Sequence, residues 1–254
     1  MERISVLSIN VNSGTSDEFV NEIASIAVRK KSQYVCIANV HMLVEAYKDA
    51  GFANIVNNAS LITPDGMPLT WAIRMLHNIK QERVAGMDLL PALLEKASSL
   101  KLSVFFYGGT DKMLSRTKTY LKEKYPGVDV VGTYNPPFRN LTLEEDDKVV
   151  ELINNSNAAL IFVVLGCPKQ ERWMASMKER INAVMIGVGG ALPVLISMQR
   201  RAPAWMQSVG LEWVFRLIQE PRRLFKRYAV TNSTFIYILF KEYFLKLRRR
   251  FSFN

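Results

Sequence analysis

The chain has 254 residues, of which 49% are hydrophobic and 22% are charged, and its formal net charge is +10. This composition is typical of a folded globular protein and excludes a disordered chain as the main interpretation. The charge is uneven, because residues 196–254 contain 12 basic and only three acidic side chains, interleaved with many aromatic ones. A near-neutral body with a basic, aromatic end indicates that this end meets an anionic partner.

In chain order, short β-rich runs alternate with amphipathic helical runs. Strands are predicted at 4–11, 34–38, 104–107, 128–134, 159–165 and 183–188, and helices at 18–29, 40–49, 68–79, 89–100, 112–124, 143–154 and 169–180. This alternation predicts an α/β fold, with a Rossmann-like parallel sheet flanked by helices. We expect this domain to occupy residues 1–196, and residues 197–254 to form a basic, amphipathic helical appendage.

Polar residues gather in the loops that follow the predicted strands, which is where ligands bind in such folds. Gly108 and Gly109 join a strand to a helix and could approach an anion, or they could simply permit a tight turn. The full G-x-G-x-x-G spacing is absent, so the sequence does not indicate a dinucleotide cofactor. Asn39 and His41 follow another strand, and His41 is more simply interpreted as a local polar residue.

Two further loops carry carboxylates. Asp65 lies in the rigid segment TPDGMP (63–68), where it could act as a general base or only bond its own backbone. Gln170 and Glu171 open a helix directly after the apolar run 160–165, although an acidic residue there could also merely favour the helix dipole.

Several other classes of site are not indicated. There is no Asp-x-Asp pair and no Cys/His cluster, so we expect no bound metal. Two isolated cysteines in apolar runs predict a reduced, cytoplasmic protein. The apolar run 234–240 is far shorter than the roughly 20 residues that span a bilayer, but it can lie on a membrane surface. Lipid headgroups, nucleic acid or simple solvation all remain open for the basic end; we favour a membrane and no nucleic acid, because no nucleic-acid-binding motif is present.

Several motifs between about residues 38 and 228 together resemble the WecG/TagA/CpsF family of bacterial glycosyltransferases. They are TPDGMPLTWA (63–72), RVAGMDLL (83–90), the glycine pair 108–109, GCPKQERWM (166–174), GVGGA (187–191) and RAPAWMQSVGLEWVFRLIQEPRRLFKRY (201–228). The resemblance implies an inverting, metal-independent transferase without a cofactor. Its donor would be a UDP-sugar, with a hexose or N-acetylhexosamine such as N-acetylmannosamine, and its acceptor a polyprenyl-diphosphate-linked sugar. The reaction would serve capsule, exopolysaccharide or other cell-envelope synthesis, at the inner face of the cytoplasmic membrane.

The resemblance also implies roles for individual residues. Asp65 would be the general base, Asn39 and Gln170 would lie in the two pocket loops, and the cations that could bind diphosphate are Arg216, Arg223 and Lys226. The loops described above add four further substrate-binding candidates, which the resemblance does not assign: His41, Gly108, Gly109 and Glu171. The appendage would contact the membrane and close over the site, so that its cations bind the diphosphate or, as the alternative for some of them, lipid headgroups. Arg216 and Arg223 share a helix face only if the helix continues through Pro221, which should break or restart it.

The chain departs from the family pattern at two places. Ile37 stands where many members have Thr, and Leu192-Pro193 where many have Phe-Asp, so the identity of the donor sugar stays open. The alternative function is a non-catalytic protein that binds a nucleotide sugar or nucleic acid on the same sheet. Oligomeric state is open as well, and a homo-oligomer is one alternative.

Overall fold

The computed structural model describes the backbone of residues 1–252 and the side chains of residues 1–248, so the predicted appendage 197–254 ends two residues outside the described part. The elements, in chain order, are β1 (Arg3–Val6), β2 (Ile9–Asn12), α1 (Ser16–Val28), β3 (Gln33–Ala38), α2 (Val40–Lys48), α3 (Ala50–Asn57), β4 (Leu61–Pro64), α4 (Met67–His77), α5 (Gly86–Leu100), β5 (Ser103–Gly108), α6 (Asp111–Lys124), β6 (Asp129–Tyr134), α7 (Leu143–Asn155), β7 (Leu160–Val164), α8 (Lys169–Met177), β8 (Val184–Gly187), α9 (Ala191–Leu195), α10 (Ala204–Ser208), α11 (Glu212–Gln219) and α12 (Pro221–Ser252).

Six strands form one parallel sheet in the order β4-β3-β8-β7-β5-β6. The central strands β7 and β8 are apolar and almost wholly buried, because helices cover both faces of the sheet. Helices α1, α5, α6 and α9 pack on one face, and α2, α3, α4, α7, α8 and α12 pack on the other. The predicted Rossmann-like α/β fold is thereby confirmed.

The N-terminal strand was predicted wrongly. The alternating run 4–11 predicts one strand, but the chain reverses at Leu7, whose φ is 57°, and forms the antiparallel hairpin β1–β2. No glycine or proline marks this turn in the sequence. The hairpin does not join the central sheet, whose edge strand on that side is β4. The sequence pattern did not predict β4, because only three β-forming residues precede Pro64.

The C-terminal segment forms three helices, α10, α11 and α12, and the last two are separated by a break at Glu220. Helix α11 ends at Gln219, Glu220 leaves the helical conformation, and Pro221 begins α12. Phe235 and Ile238 of α12 are buried against the face that carries α2. Other α12 aromatic side chains are exposed, namely Phe225, Tyr237, Phe240 and Phe244. Among the helices of the described chain, none is both long and apolar enough to cross a membrane.

Candidate active site

A cavity of about 720 Å³ opens at the carboxyl ends of four neighbouring strands. Its floor consists of the loops that follow β3, β4, β7 and β8, and its roof consists of α11 and α12. The lining includes Asn39, His41, Asp65, Gly66, Trp71, Gly166, Cys167, Gln170, Gly187, Gly189, Gly190, Glu212, Trp213, Arg216, Arg223, Arg227, Tyr228, Phe235, Ile236 and Leu239. Segments far apart in the sequence therefore share one site.

Asp65 is held firmly in the floor. Its backbone N–H donates to the carbonyl oxygen of Ala38 at 2.7 Å, which ties the loop after β4 to the end of β3. Gly66 then adopts a φ of 93°, a left-handed conformation that glycine tolerates, and Pro68 lies in the first turn of α4. The sequence TPDGMP thus fixes one half-buried carboxylate at the cavity.

The pKa of the Asp65 carboxyl group is set by burial and by the charged groups around it. Burial and, to a smaller extent, the carboxylate of Glu212 raise the pKa of its carboxyl group, whereas Arg83 and Arg216 lower it; the net result is a pKa of about 7. A carboxyl group with a pKa close to neutrality binds a proton readily and is still about half ionised at pH 7. The surroundings of Asp65 therefore suit a general base.

An ion-pair network ties the floor to the roof. Arg83 bonds Glu212 of α11 at 2.5 Å and Asp88 of α5 at 2.9 Å, and Arg201 bonds the same Asp88 at 2.5 Å. The side chains of Arg83 and Glu212 are only 15% and 21% exposed, so solvent screens this pair weakly. The network places Glu212 where it acts on Asp65, and no local sequence pattern indicates it, because its members lie up to 129 residues apart.

Three arginines line the cavity from the roof. Arg216 and Arg223 were predicted, and Arg216 lies so close to Gly190 that any Cβ there would clash with its guanidinium group. Lys226 is exposed and is not part of the lining, whereas Arg227 is. Arg227 follows Arg223 by four residues and so shares its helix face, a spacing from which it could have been found. Guanidinium groups can bind a diphosphate by bidentate contact.

Asn39 and His41 lie in the floor beside each other. Asn39 caps α2, where its side-chain oxygen accepts from the Met42 N–H at 3.2 Å. His41 is half-buried with Nδ1 4.0 Å from Glu45, and that nitrogen has no hydrogen-bond partner within the described chain. Burial lowers the pKa of His41, and so does Arg227, which favours the neutral ring near pH 7.

Gln170 and Glu171 occupy different positions. Gln170 lines the cavity, where its Oε1 accepts from the Gly166 N–H at 3.1 Å and its Nε2 donates to the Gly187 carbonyl at 3.1 Å. Nε2 also donates to Glu171 Oε1 at 2.7 Å. Glu171 lies fully buried behind Gln170, and burial raises the pKa of its carboxyl group.

Gly108 and Gly109 lie outside the cavity lining. A Cβ on Gly108 would come within 2.7 Å of the Val164 carbonyl oxygen, so glycine permits β5 and β7 to end close together. Thr110 caps α6 by accepting from the Met113 N–H at 3.2 Å. Of the two interpretations of Gly108 and Gly109, this geometry fits the one in which the glycines permit a tight turn. Among the described residues, no group of three His, Cys, Asp or Glu side chains is arranged to hold a metal ion.

Comparison with known proteins identifies what the chain is similar to. Residues 4–250 match the sequence model of the Glycosyl transferase WecG/TagA/CpsF family. Two relatives, from Bacillus spizizenii (strain ATCC 23059 / NRRL B-14472 / W23) and Bacillus subtilis (strain 168), are each 30% identical over 196 residues. The matched region is 77% of this chain and 74% and 75% of the relatives. Each relative is named N-acetylglucosaminyldiphosphoundecaprenol N-acetyl-beta-D-mannosaminyltransferase.

Proposed function

Because the chain belongs to the WecG/TagA/CpsF family and is a glycosyltransferase, we propose that it transfers N-acetylmannosamine, or a closely related hexosamine, from a UDP-sugar. The acceptor is N-acetylglucosamine carried on a polyprenyl diphosphate, by analogy with the substrate in the names of the two relatives. The product would serve the assembly of a cell-envelope polysaccharide. The observation that carries this proposal is that one cavity holds both a carboxylate with a pKa near 7 and three arginines.

The reaction divides between the floor and the roof. Asp65 takes the proton from an acceptor hydroxyl as its oxygen attacks the anomeric carbon on the face opposite the nucleotide. One carbon–oxygen bond forms, and the bond between the anomeric carbon and the diphosphate breaks, which inverts the configuration. UDP departs with the bonding electrons, and the proton passes from Asp65 to solvent.

The arginines of the roof stabilise the departing UDP. Arg216, Arg223 and Arg227 face the cavity and supply the positive charge that a divalent cation would otherwise provide. Charge stabilisation of this kind is usually the largest catalytic contribution. These three side chains support the metal-independent mechanism that we propose.

One end of the cavity suits a lipid. The α12 lining extends from Arg223 to Leu239, and these 17 residues span about 24 Å along the helix. Its far end, the apolar arm, consists of Phe235, Ile236 and Leu239. We place the first isoprenoid units of the acceptor there, with the exposed α12 aromatics at headgroup level of the inner membrane face.

The variant Asp65→Asn tests the base. General-base catalysis contributes about 10²- to 10⁴-fold, so we expect a loss of that size in kcat, measured by mass spectrometry of the glycosylated acceptor. UDP binding, followed by calorimetry, should persist. Asp129→Asn on the exposed edge strand β6 is the matched control and should behave like the wild type.

Two outcomes would contradict the proposal. Undiminished turnover by Asp65→Asn would exclude Asp65 as the base. Tight binding of UDP-sugars by the wild type, with no acceptor ever glycosylated, would favour the non-catalytic binding protein instead.

A further inference from the structure

The side-chain amide of Gln170 has an orientation that its neighbours enforce. The oxygen and nitrogen atoms of a side-chain amide have nearly the same shape. Only hydrogen bonding therefore distinguishes its two orientations, which differ by a 180° flip. Here the oxygen faces the Gly166 N–H, while the nitrogen faces the Gly187 carbonyl and Glu171. In the flipped arrangement, donor would face donor at Gly166, and acceptor would face acceptor at Gly187.

The backbone around Gln170 is shaped to receive this amide. A Cβ on Gly187 would approach Nε2 to within 2.7 Å, and a Cβ on Gly189 would lie 3.2 Å from Oε1. Because Gly187 and Gly189 have no side chains, the amide fits between the ends of β7 and β8. Oε1 lies on the side of Gly166 and Gly189, which both line the cavity.

The hydrogen bond that Gln170 Nε2 donates to Glu171 Oε1 is the shortest of the three, at 2.7 Å, and it is buried. Glu171 is 0% exposed, and its second oxygen, Oε2, has no nitrogen or oxygen partner within the described chain; besides the Gln170 amide, the carboxyl group interacts with the Cys167 thiol. A thiol is a weak hydrogen-bond donor, so this buried carboxyl group costs stability, and an apolar side chain of the same size would cost less. Stability of the fold therefore does not account for a carboxyl group at this position.

We propose that Glu171 is a positioning residue, whose buried carboxyl group holds the Gln170 amide with its oxygen toward the cavity. That oxygen retains one lone pair besides the one used by Gly166. It therefore accepts a hydrogen bond from a hydroxyl or acetamido N–H group of the sugar. This inference rests on the proposed function, since it assigns a contact within the same site.

Two substitutions separate the positioning role from packing and from acid–base chemistry. Glu171→Met keeps a side chain of similar length but removes the acceptor, so we expect kcat/KM for the UDP-sugar to fall about 10-fold or more. Glu171→Gln keeps one acceptor oxygen, and we expect it to restore activity to within about threefold of the wild type. The thermal midpoint of Glu171→Met should match or exceed that of the wild type, because a buried carboxyl group is lost.

A double-mutant cycle with Gln170→Ala tests whether Glu171 acts through its neighbour. If it does, adding Glu171→Met to Gln170→Ala should change kcat/KM by less than about twofold, far from additive. If Glu171 had a purely structural role, Glu171→Met would lower kcat/KM of Gln170→Ala by the same factor as it lowers that of the wild type. Glu171→Gln as inactive as Glu171→Met would also overturn the inference, since it would indicate proton transfer by the carboxyl group.

A measurement without turnover keeps this inference separate from the proposed function. Nuclear magnetic resonance of the Gln170 side-chain NH₂ group, assigned by its loss in Gln170→Ala, reports the amide directly. We expect slow hydrogen exchange in the wild type and faster exchange in Glu171→Met. Unchanged exchange would refute the positioning role, whereas a wild type that glycosylates no acceptor would refute the proposed function alone.

Discussion

Replacing Asp65 with Asn should stabilise the protein at neutral and alkaline pH while it removes activity. Burial, with Glu212 nearby, raises the pKa of this carboxyl group from 3.8 to about 7 in the folded protein. An acid with a raised pKa binds its proton more tightly when folded, so its stabilising contribution is complete below pH 3.8. That contribution is lost as the pH rises to about 7, and Asn, which does not ionise, escapes the loss.

The size of the effect follows from the two pKa values. A difference between 3.8 and about 7 corresponds to about 4 kcal/mol of unfolding free energy. Water reaches the cavity and Asp65 is only half-buried, so screening reduces the expected gain to between about 2 and 4 kcal/mol.

Denaturant unfolding followed by tryptophan fluorescence, from pH 4.5 to 8.5, measures this difference. The gain of Asp65→Asn over the wild type should be small at pH 4.5, grow through pH 6 and become constant above about pH 8. Asp129→Asn, which alters an exposed carboxylate, should follow the wild-type curve. A gain for Asp65→Asn that is the same at every pH would refute the reasoning, because it could not arise from ionisation.

Three further substitutions examine the roof. We expect kcat/KM to rise with pH as Asp65 ionises. Glu212→Gln removes the negative charge that raises the Asp65 pKa, so this rise should move to lower pH. A pH profile of kcat/KM that does not move would exclude an effect of Glu212 on the Asp65 pKa. Arg216→Gln should move that rise to higher pH and weaken UDP binding about 10-fold or more, as calorimetry would show, whereas equal affinity would remove Arg216 from the diphosphate site. Ile236→Ser in the apolar arm should raise KM for a long-chain acceptor severalfold but leave a short-chain analogue unaffected; an equal change for both acceptors would argue against lipid contact.

The sequence was most informative where local pattern and tertiary position agree. The strand predicted at 34–38 corresponds to β3, and the rigid TPDGMP loop does bring Asp65 to the cavity. Such features depend on neighbours within a few residues, because alternation, prolines and glycines act locally.

Other features depended on contacts that a single sequence does not display. The reversal at Leu7 has no turn residue to mark it, and the bond from Arg83 to Glu212 joins residues 129 positions apart. Pro221 does restart the helix, so Arg216 and Arg223 reach the same cavity from two helices and not from one face. Tertiary folding, and not a shared helix face, brings the two side chains together.

Helix α11 is attached to the protein very differently from its neighbour α12. None of its residues is buried. Glu212 pairs with Arg83, Gln219 donates to the Arg200 carbonyl oxygen, and Trp213 packs edge-on against Tyr228 of α12, with an adjoining bond between Gln199 and Glu220. Helix α12, in contrast, is anchored by Leu224, Phe235 and Ile238. A helix without a fully buried residue separates from the body at a lower free-energy cost than one anchored in the core, so we expect α11 to move before α12 does. We expect this motion to govern how quickly spent nucleotide departs and the next donor enters.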